Sequence, residues 1–408
     1  LGKHEVPVAD TDKLKELAAA MHKEAKEADG GNRYLYGTAG HVGNLYKTGS
    51  LPIKNYTTNA WPEYELFTGQ AIRERFPHQP KPCWACNLHT RWMTVTEGPY
   101  KGFTGEEPDY EGIAACSTVI GNTDPGAMVY LGNLIDRLGF DINETGWLLG
   151  LVMECYEAGL LKKEDLNGLE LNWGNVPAAA ELLKLVASRK GIGNTLAEGV
   201  KRASEALGPE FAKRGIYVLK GSTPRGHDHR GRWDELMDTC LSNTSTIEAS
   251  GGDVNIPEIG VKAPQNRFSP DEVADWNANK NGRRVLEDCV GLCRFCAPSL
   301  AKLVEAINVI TGWDMTVMEA LTAGRRVVNR LRAFNFRHGL DAASEWPSPR
   351  YSSSPVDGPA QGTHVVPVLA EMRARYWQGM GWDESDGRPL PATLKTLGLE
   401  DLIPVLWP

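Results

Sequence analysis

Asp136-Arg137-Leu138-Gly139-Phe140-Asp141 and Asp288-Cys289-Val290-Gly291-Leu292-Cys293 share one pattern in this chain of 408 residues. Both read Asp-x-x-Gly-(Leu/Phe)-(Asp/Cys). Each copy offers a carboxylate and a glycine whose bare backbone admits close approach of a flat polar ligand. Such acceptors suit the amino and ring N–H groups of a pterin. One copy alone would be weak evidence. Two copies are strong, because the second ends on a cysteine and another thiol pair stands upstream at Cys83-Trp84-Ala85-Cys86.

Thiolates are soft ligands that suit iron–sulfur clusters or zinc. Zinc pairs usually close over short spacings, whereas the nearest second pair, Cys293 and Cys296, lies far along the chain. The iron–sulfur reading is therefore the stronger. Cys289, Cys293 and Cys296 stand at i, i+4 and i+7, so simple packing on one helix face is the alternative. Gly291 inside the run weakens a regular helix there. The remaining cysteines are Cys116, Cys155 and Cys240. The opening residues, Leu1-Gly2-Lys3-His4-Glu5, do not read as a secretory signal, so a disulfide framework is a poor reading. Cys155 is expected to be a buried core thiol.

The composition is that of an ordinary globular protein, 41% hydrophobic and 24% charged. The length predicts two or three domains around a large core. A net charge of −8 without a basic run argues against a nucleic-acid partner. No apolar stretch is long enough to span a bilayer, and the expected location is cytoplasmic. Asp10-Thr11-Asp12 predicts the cap of a helix over 13–28, and helical patterns recur over 125–208 and 270–337. Residues 37–82 read as irregular, 215–221 as the best strand, and 347–361 as a surface loop. The expected fold class is mainly α, with helical domains at 1–213 and 214–408.

Together these residues resemble the aldehyde:ferredoxin oxidoreductase family of tungsten-pterin enzymes. Further stretches carry the same likeness in the same order. They are Gly37-Thr38-Ala39, Gly49-Ser50-Leu51-Pro52-Ile53-Lys54-Asn55, Pro108-Asp109-Tyr110-Glu111, Leu196-Ala197-Glu198-Gly199 and Thr311-Gly312-Trp313-Asp314. The resemblance implies two helical domains of that family's type. It also implies a tungsten (or molybdenum) bis-pyranopterin, a 4Fe-4S cluster nearby, and magnesium. Asp136, Gly139, Asp141, Asp288, Gly291 and Leu292 would meet the pterins, and Cys83, Cys86 and Cys293 would hold the cluster. The implied reaction oxidises a small-molecule aldehyde to a carboxylic acid and delivers electrons to ferredoxin or another iron–sulfur carrier. The family's largely β N-terminal domain is not matched in this sequence, so a separate β-rich domain or chain is an implied partner.

The match has departures. The family's third cluster cysteine would fall on Thr90, and a hydroxyl is a poor iron ligand. His89 could ligate through an imidazole nitrogen, or Cys296 or Cys289 could stand in. His89 as a hydrogen-bond donor is the plainer alternative. Glu248, after Ser242-Asn243, stands near the position where aldehyde-oxidising relatives carry a histidine. Glu111 matches the family's acidic pocket position. Either carboxyl can do acid–base work if burial raises its pKa. His227-Asp228-His229-Arg230-Gly231 resembles the family's Asp-Pro-Arg-Gly stretch, which makes Asp228 and Arg230 candidate cofactor contacts. His227 and His229 make a candidate proton relay, or alternatively are surface residues of a charged loop. Cys116 is either a metal thiolate, as in the family's benzoyl-CoA reductase branch, or a buried structural thiol. Two rival functions follow: a low-potential aryl- or enoyl-CoA reductase, and an electron-transfer subunit without metal-pterin chemistry. The two intact motifs argue against the second.

Overall fold

The computed structural model describes residues 7–86, 88, 90–244, 246–250, 256–296 and 299–408. Helices dominate, and one three-stranded sheet is the only sheet among the described residues. No helix is long and apolar enough to cross a membrane. The chain divides into two compact units, each drawn from separate stretches of sequence. The larger comprises Asn32–Leu236 and Ala343–Pro367; the smaller comprises Leu1–Gly31, Met237–Ala342 and Val368–Pro408. The expected division at 213/214 is contiguous, whereas these units exchange segments. The Thr11–Glu27 helix shows why: it buries Leu17, Met21 and Ala25 and packs on the Leu300–Thr311 helix of its own unit. Asp10 caps it by accepting the Lys13 N–H, as the sequence suggests.

In the larger unit, the Pro125–Leu138 helix starts on Asp124, whose carboxylate accepts the Gly126 and Ala127 N–H groups. The next helix, Ile142–Glu157, is buried from Thr145 to Cys155. A helix apolar on nearly every side is a central one. The sheet pairs His78–Lys81, Thr90–Thr94 and Thr104–Glu106 in antiparallel order, with Lys81 opposite Thr90 and Trp92 opposite Glu106.

Three local expectations are corrected. Residues 37–82 hold several short helices, among them Val42–Lys47 and Gly69–Arg75. Each runs for too few turns to display a 3.6-residue period. Residues 215–221 form no strand; only an isolated bridge joins Val218 to Pro347. Ile216, Tyr217 and Val218 are apolar because they are buried, not because they join a ladder. Residues 347–361 contain no helix or strand, yet Ser348, Tyr351 and Ala360 are buried.

In the smaller unit, Trp276, Leu286, Leu300, Leu303 and Leu321 form a core between four helices: Pro270–Lys280, Arg283–Cys289, Leu300–Thr311 and Val317–Arg337. Glu287 is buried between Arg283 and Arg284, at 3.0 and 2.8 Å. Gly282 opens the Arg283–Cys289 helix at φ +103°, and Gly324 of the long helix lies directly against its carbonyl. A Cβ on Gly324 would collide with that backbone. Gly324→Ala is therefore expected to cost about 1–3 kcal/mol, as overpacking does. The loss should read as a lower denaturant midpoint, and an unchanged midpoint would refute the close approach.

Candidate cofactor and proton-transfer sites

The two Asp-x-x-Gly motifs fold into the same turn. The Gly139 N–H donates to the Asp136 carbonyl at 3.0 Å and the Phe140 N–H to Ile135 at 3.2 Å. The Gly291 N–H donates to the Asp288 carbonyl at 3.1 Å and the Leu292 N–H to Glu287 at 3.3 Å. Both glycines sit in the left-handed region, at φ +73° and +70°. This is a helix stop in which a left-handed glycine lets following N–H groups satisfy the last carbonyls. The motif thus presents an exposed aspartate in the last turn of a helix, Asp136 in the larger unit and Asp288 in the smaller. A carboxylate there faces the helix's partial negative end, an arrangement disfavoured by roughly 0.3–1 kcal/mol. Arg294, 3.8 Å from Asp288, offsets part of this at the second motif. The final residues differ. Asp141 caps the Ile142–Glu157 helix, accepting the Glu144 N–H at 2.8 Å, whereas Cys293 is exposed. Leu292 is half-buried against the smaller unit's core.

Cys83 and Cys86 occupy the connection between the first two strands. The Cys86 N–H donates to the Cys83 carbonyl at 3.1 Å, and the Leu88 N–H donates to Cys86 Sγ at 3.3 Å. Ala85 takes a left-handed φ of +56°, and Trp84 between the cysteines is 98% exposed. The sheet is tied to the helix that ends in the first motif. The Glu106 N–H donates to Asn133 Oδ1, and Asn133 Nδ2 donates to the Glu106 carbonyl, both at 2.9 Å. Next to it, Arg73 grips Glu107 through two buried hydrogen bonds of 2.8 and 2.6 Å. The Cys83–Cys86 turn and the first motif therefore share one frame within the larger unit.

The other thiols sort by burial. Thr90, at the family's third cysteine position, is a strand residue whose hydroxyl donates to the Lys81 carbonyl at 3.2 Å. His89 lies outside the described residues. Cys293 is lowered to about 6, because hydrogen bonds from the Cys296 thiol and from backbone N–H groups outweigh the opposing effect of burial. Cys289 is exposed and ends its helix. Cys116 is fully buried, and burial, followed by Asp136 and Asp109, pushes its thiol upward, so it is held neutral. Cys155 is likewise buried and pushed up to about 12.

A charged network fills the interior of the larger unit. Glu235, fully buried, receives Arg225 at 2.7 and 2.9 Å and Arg232 at 2.6 Å. Its Oε2 also lies 3.0 Å from His229 Nε2, off the line of a good hydrogen bond, and 3.4 Å from His227 Nδ1. The histidines are not on the surface: His227 is 5% exposed and His229 fully buried. His229 Nδ1 stands 2.6 Å from the Tyr351 hydroxyl, and His227 Nδ1 stands 3.1 Å from Arg232. Burial and then Arg225 depress His227 well below its ordinary value, which keeps it neutral. Burial alone would raise Glu235, but the arginines overcome it and hold the carboxylate ionised. The side-chain atoms of His227, His229 and Glu235 lie within 4.8 Å of one another, a spacing a cation could use. Two guanidiniums already neutralise the only carboxylate, so the set is better built to hold charge and protons than to take a metal.

Glu111 stands in the first turn of the Tyr110–Cys116 helix, which Asp109 caps. It is half-buried, with Arg225 Nη1 at 3.6 Å. Burial raises its pKa, against the pull of Arg225. Asp228 and Arg230 form a buried pair at 2.6 Å; Asn59 also donates to Asp228 at 2.8 Å, and the guanidinium lies 4.2 Å over the Tyr56 ring. In the smaller unit Glu248 is buried, accepting the Asn243 N–H at 3.1 Å and the Asn281 amide at 3.0 Å. Burial raises its pKa. Asp238 organises this loop by accepting the backbone N–H groups of Glu248, Ala249 and Ser250.

Sequence reasoning passed over Glu235, Arg232 and Tyr351. The spacing of Arg232 and Glu235, three apart at a helix start, is a signal for their pairing. Tyr351, in a loop rich in Ser and Pro, carries no such signal.

A mainly helical chain with paired Asp-x-x-Gly helix stops and two Cys-x-x-Cys turns defines a class of candidate cofactor scaffold. The chain belongs to the aldehyde ferredoxin oxidoreductase family, whose domains 2 and 3 match residues 16–399. It is 31% identical to the tungsten-containing aldehyde ferredoxin oxidoreductase of Pyrococcus furiosus, over 98% of this chain and 66% of the relative. The Thermococcus kodakarensis protein of the same name is 30% identical with the same coverage. The aliphatic sulfonate oxidoreductase WOR-like subunit of P. furiosus is 29% identical over 96% of this chain and 62% of its own length. This chain thus spans just under two thirds of the relatives it matches. Its fold also matches the active site complex BamBC of benzoyl coenzyme A reductase in complex with 1,5-dienoyl-CoA. That match has a TM-score of 0.72 and 16% identity, covering 97% of this chain and 66% of the other.

Proposed function

We propose that this chain is the helical part of a tungsten (or molybdenum) pterin and iron–sulfur oxidoreductase. The reaction is oxidation of an aldehyde to a carboxylic acid, with ferredoxin accepting the electrons. The observation that carries the reading is the repeated helix-terminal turn, which twice exposes an aspartate against the helix dipole in a chain of this family. Carboxylates so placed suit the N–H edge of a pterin, and thiols on N–H-rich turns suit a cluster. Asp136, Asp288 and the glycine turns would hold the pterins, and Cys83, Cys86 and Cys293 would hold the cluster. The metal, when bound, would supply Lewis acidity and the two-electron redox change.

The chain's own contribution is proton handling. Glu111, raised by burial, takes a proton from the water that adds to the carbonyl carbon, and Arg225 steadies the carboxylate once it is charged. As a base Glu111 is competent only above its folded pKa, so turnover falls as pH drops through that raised value. Glu111→Gln is expected to lower kcat by about 10²–10⁴-fold and to erase that acid limb. A variant that keeps both the rate and the limb would remove Glu111 from the reaction.

The function itself is tested on protein purified anaerobically with its accompanying chains. Tungsten or molybdenum should be present by mass spectrometry, aldehydes should be oxidised, and a β-rich chain or domain should accompany it. Absence of both metals would rule out this reading. Reduction of acyl-CoA thioesters without aldehyde oxidation would replace it with the reductase function.

A further inference from the structure

Arg225 serves two carboxylates with one guanidinium. Its Nε and Nη2 donate to the two oxygens of Glu235 at 2.9 and 2.7 Å, the paired fork of a guanidinium on a carboxylate. The remaining nitrogen, Nη1, stands 3.6 Å from Glu111 Oε1. A guanidinium is rigid and planar, so one edge cannot turn without the other. The fork on Glu235 therefore sets where the third nitrogen points.

Both ends of this chain of charges are held. Glu235 is fully buried in the first turn of the Trp233–Leu241 helix, and its Oε1 also meets Arg232 at 2.6 Å. The segment that carries Arg225 is pinned to the helices beside Glu111. The Trp147 indole N–H donates to the Pro224 carbonyl, the Gly226 N–H donates to Asn143 Oδ1, and the Tyr110 hydroxyl donates to the Gly226 carbonyl, each at 2.7 Å. A Cβ on Gly226 would lie 3.5 Å from the Glu111 Cα, so this segment passes directly over the turn that carries Glu111. All of these residues belong to the larger unit.

We propose that Glu235 is a positioning residue for Glu111: it acts through Arg225, fixing the guanidinium that faces the Glu111 carboxyl and balancing part of its charge. The role of Glu111 as a base rests on the function proposed above. Burial raises the Glu111 pKa most; Arg225 lowers it, and Asp109, from its own helix cap, and Glu235 raise it. Asp136 of the Pro125–Leu138 helix bears in turn on Asp109, and Arg232 and His227 bear on Glu235. With Glu235 neutral, the two guanidiniums lose their shared counter-charge and pull harder on Glu111, whose folded pKa falls. With Arg225 neutral, burial goes unopposed and that pKa rises.

The test titrates the Glu111 carboxyl in the purified protein by infrared difference spectroscopy, its band assigned by its loss in Glu111→Gln. Glu235→Gln is expected to move the titration to lower pH, and Arg225→Gln to higher pH. The acid limb of kcat for aldehyde oxidation should move with the carboxyl in each variant. Arg225→Lys keeps the charge without the fork and should lower kcat above the limb by about 100-fold, as a misplaced group does. A merely structural Glu235 would leave the Glu111 titration in place in Glu235→Gln, which overturns the inference. Should that variant not fold, Arg225→Lys decides, and a wild-type kcat overturns it. Opposite shifts of the carboxyl without any aldehyde oxidation leave the chain from Glu235 to Glu111 standing and overturn the proposed function instead.

Discussion

Glu235→Ala is expected to destabilise the larger unit by about 3–5 kcal/mol. Removing one partner of a buried charged set leaves the others uncompensated in a low-dielectric interior. Here the remaining partners are two guanidiniums, Arg225 and Arg232, both within hydrogen-bond reach of the carboxylate. For a unit of this size that loss lowers Tm by roughly 6–20 °C. Calorimetry or denaturant unfolding would read it, and a shift under about 0.5 kcal/mol would show that the network is not a stability hub. The same network sets the acid response of the wild type. His227 has a folded pKa well below 6.5, so the unfolded chain binds more protons as pH falls below 6.5. Stability is therefore full above 6.5 and drains as pH falls toward the folded value. Glu235, depressed below 4.5, adds a second loss that begins near pH 4.5 and deepens as pH falls further. His227→Gln should flatten the first of these two slopes and leave the second.

Cys293→Ala is expected to strip iron from the cluster and abolish electron delivery while leaving the apo fold intact. The side chain is exposed and contributes little packing, so apo-protein stability should move by less than about 0.5 kcal/mol. Activity with an iron–sulfur acceptor should fall by more than about 100-fold, since losing even a supporting partner of a metal ligand costs 10–100-fold. Cys293 belongs both to the Asp288 turn and to the Cys-x-x-Cys turn. Its loss should therefore also disturb pterin retention, read as tungsten or molybdenum content. Unchanged iron in the variant would end its assignment as a ligand. A drop in apo stability would mean that the residue is structural.

Much of the fold was legible because its determinants are local. Asp10 before an amphipathic run acts within a few residues, and the helix it caps forms as its spacing requires. The mainly helical class and the family were readable for the same reason. The errors were also physical. A short apolar run such as Ile216-Tyr217-Val218-Leu219 reports burial and strand pairing alike, and only a partner strand separates the two. Loop composition at 347–361 marked an absence of regular structure, but Tyr351 and Ser348 are buried all the same.

By itself, the sequence determined the mainly helical class, the two Asp-x-x-Gly motifs, the Cys-x-x-Cys pairs and the departure at Thr90. Only the tertiary structure decided that the histidines lie inside, that Glu235 joins them to two arginines, and that Tyr351 stands 2.6 Å from His229. Turns and caps are closed by neighbours in the chain, whereas a buried ion network is closed by residues that become neighbours only when the core forms.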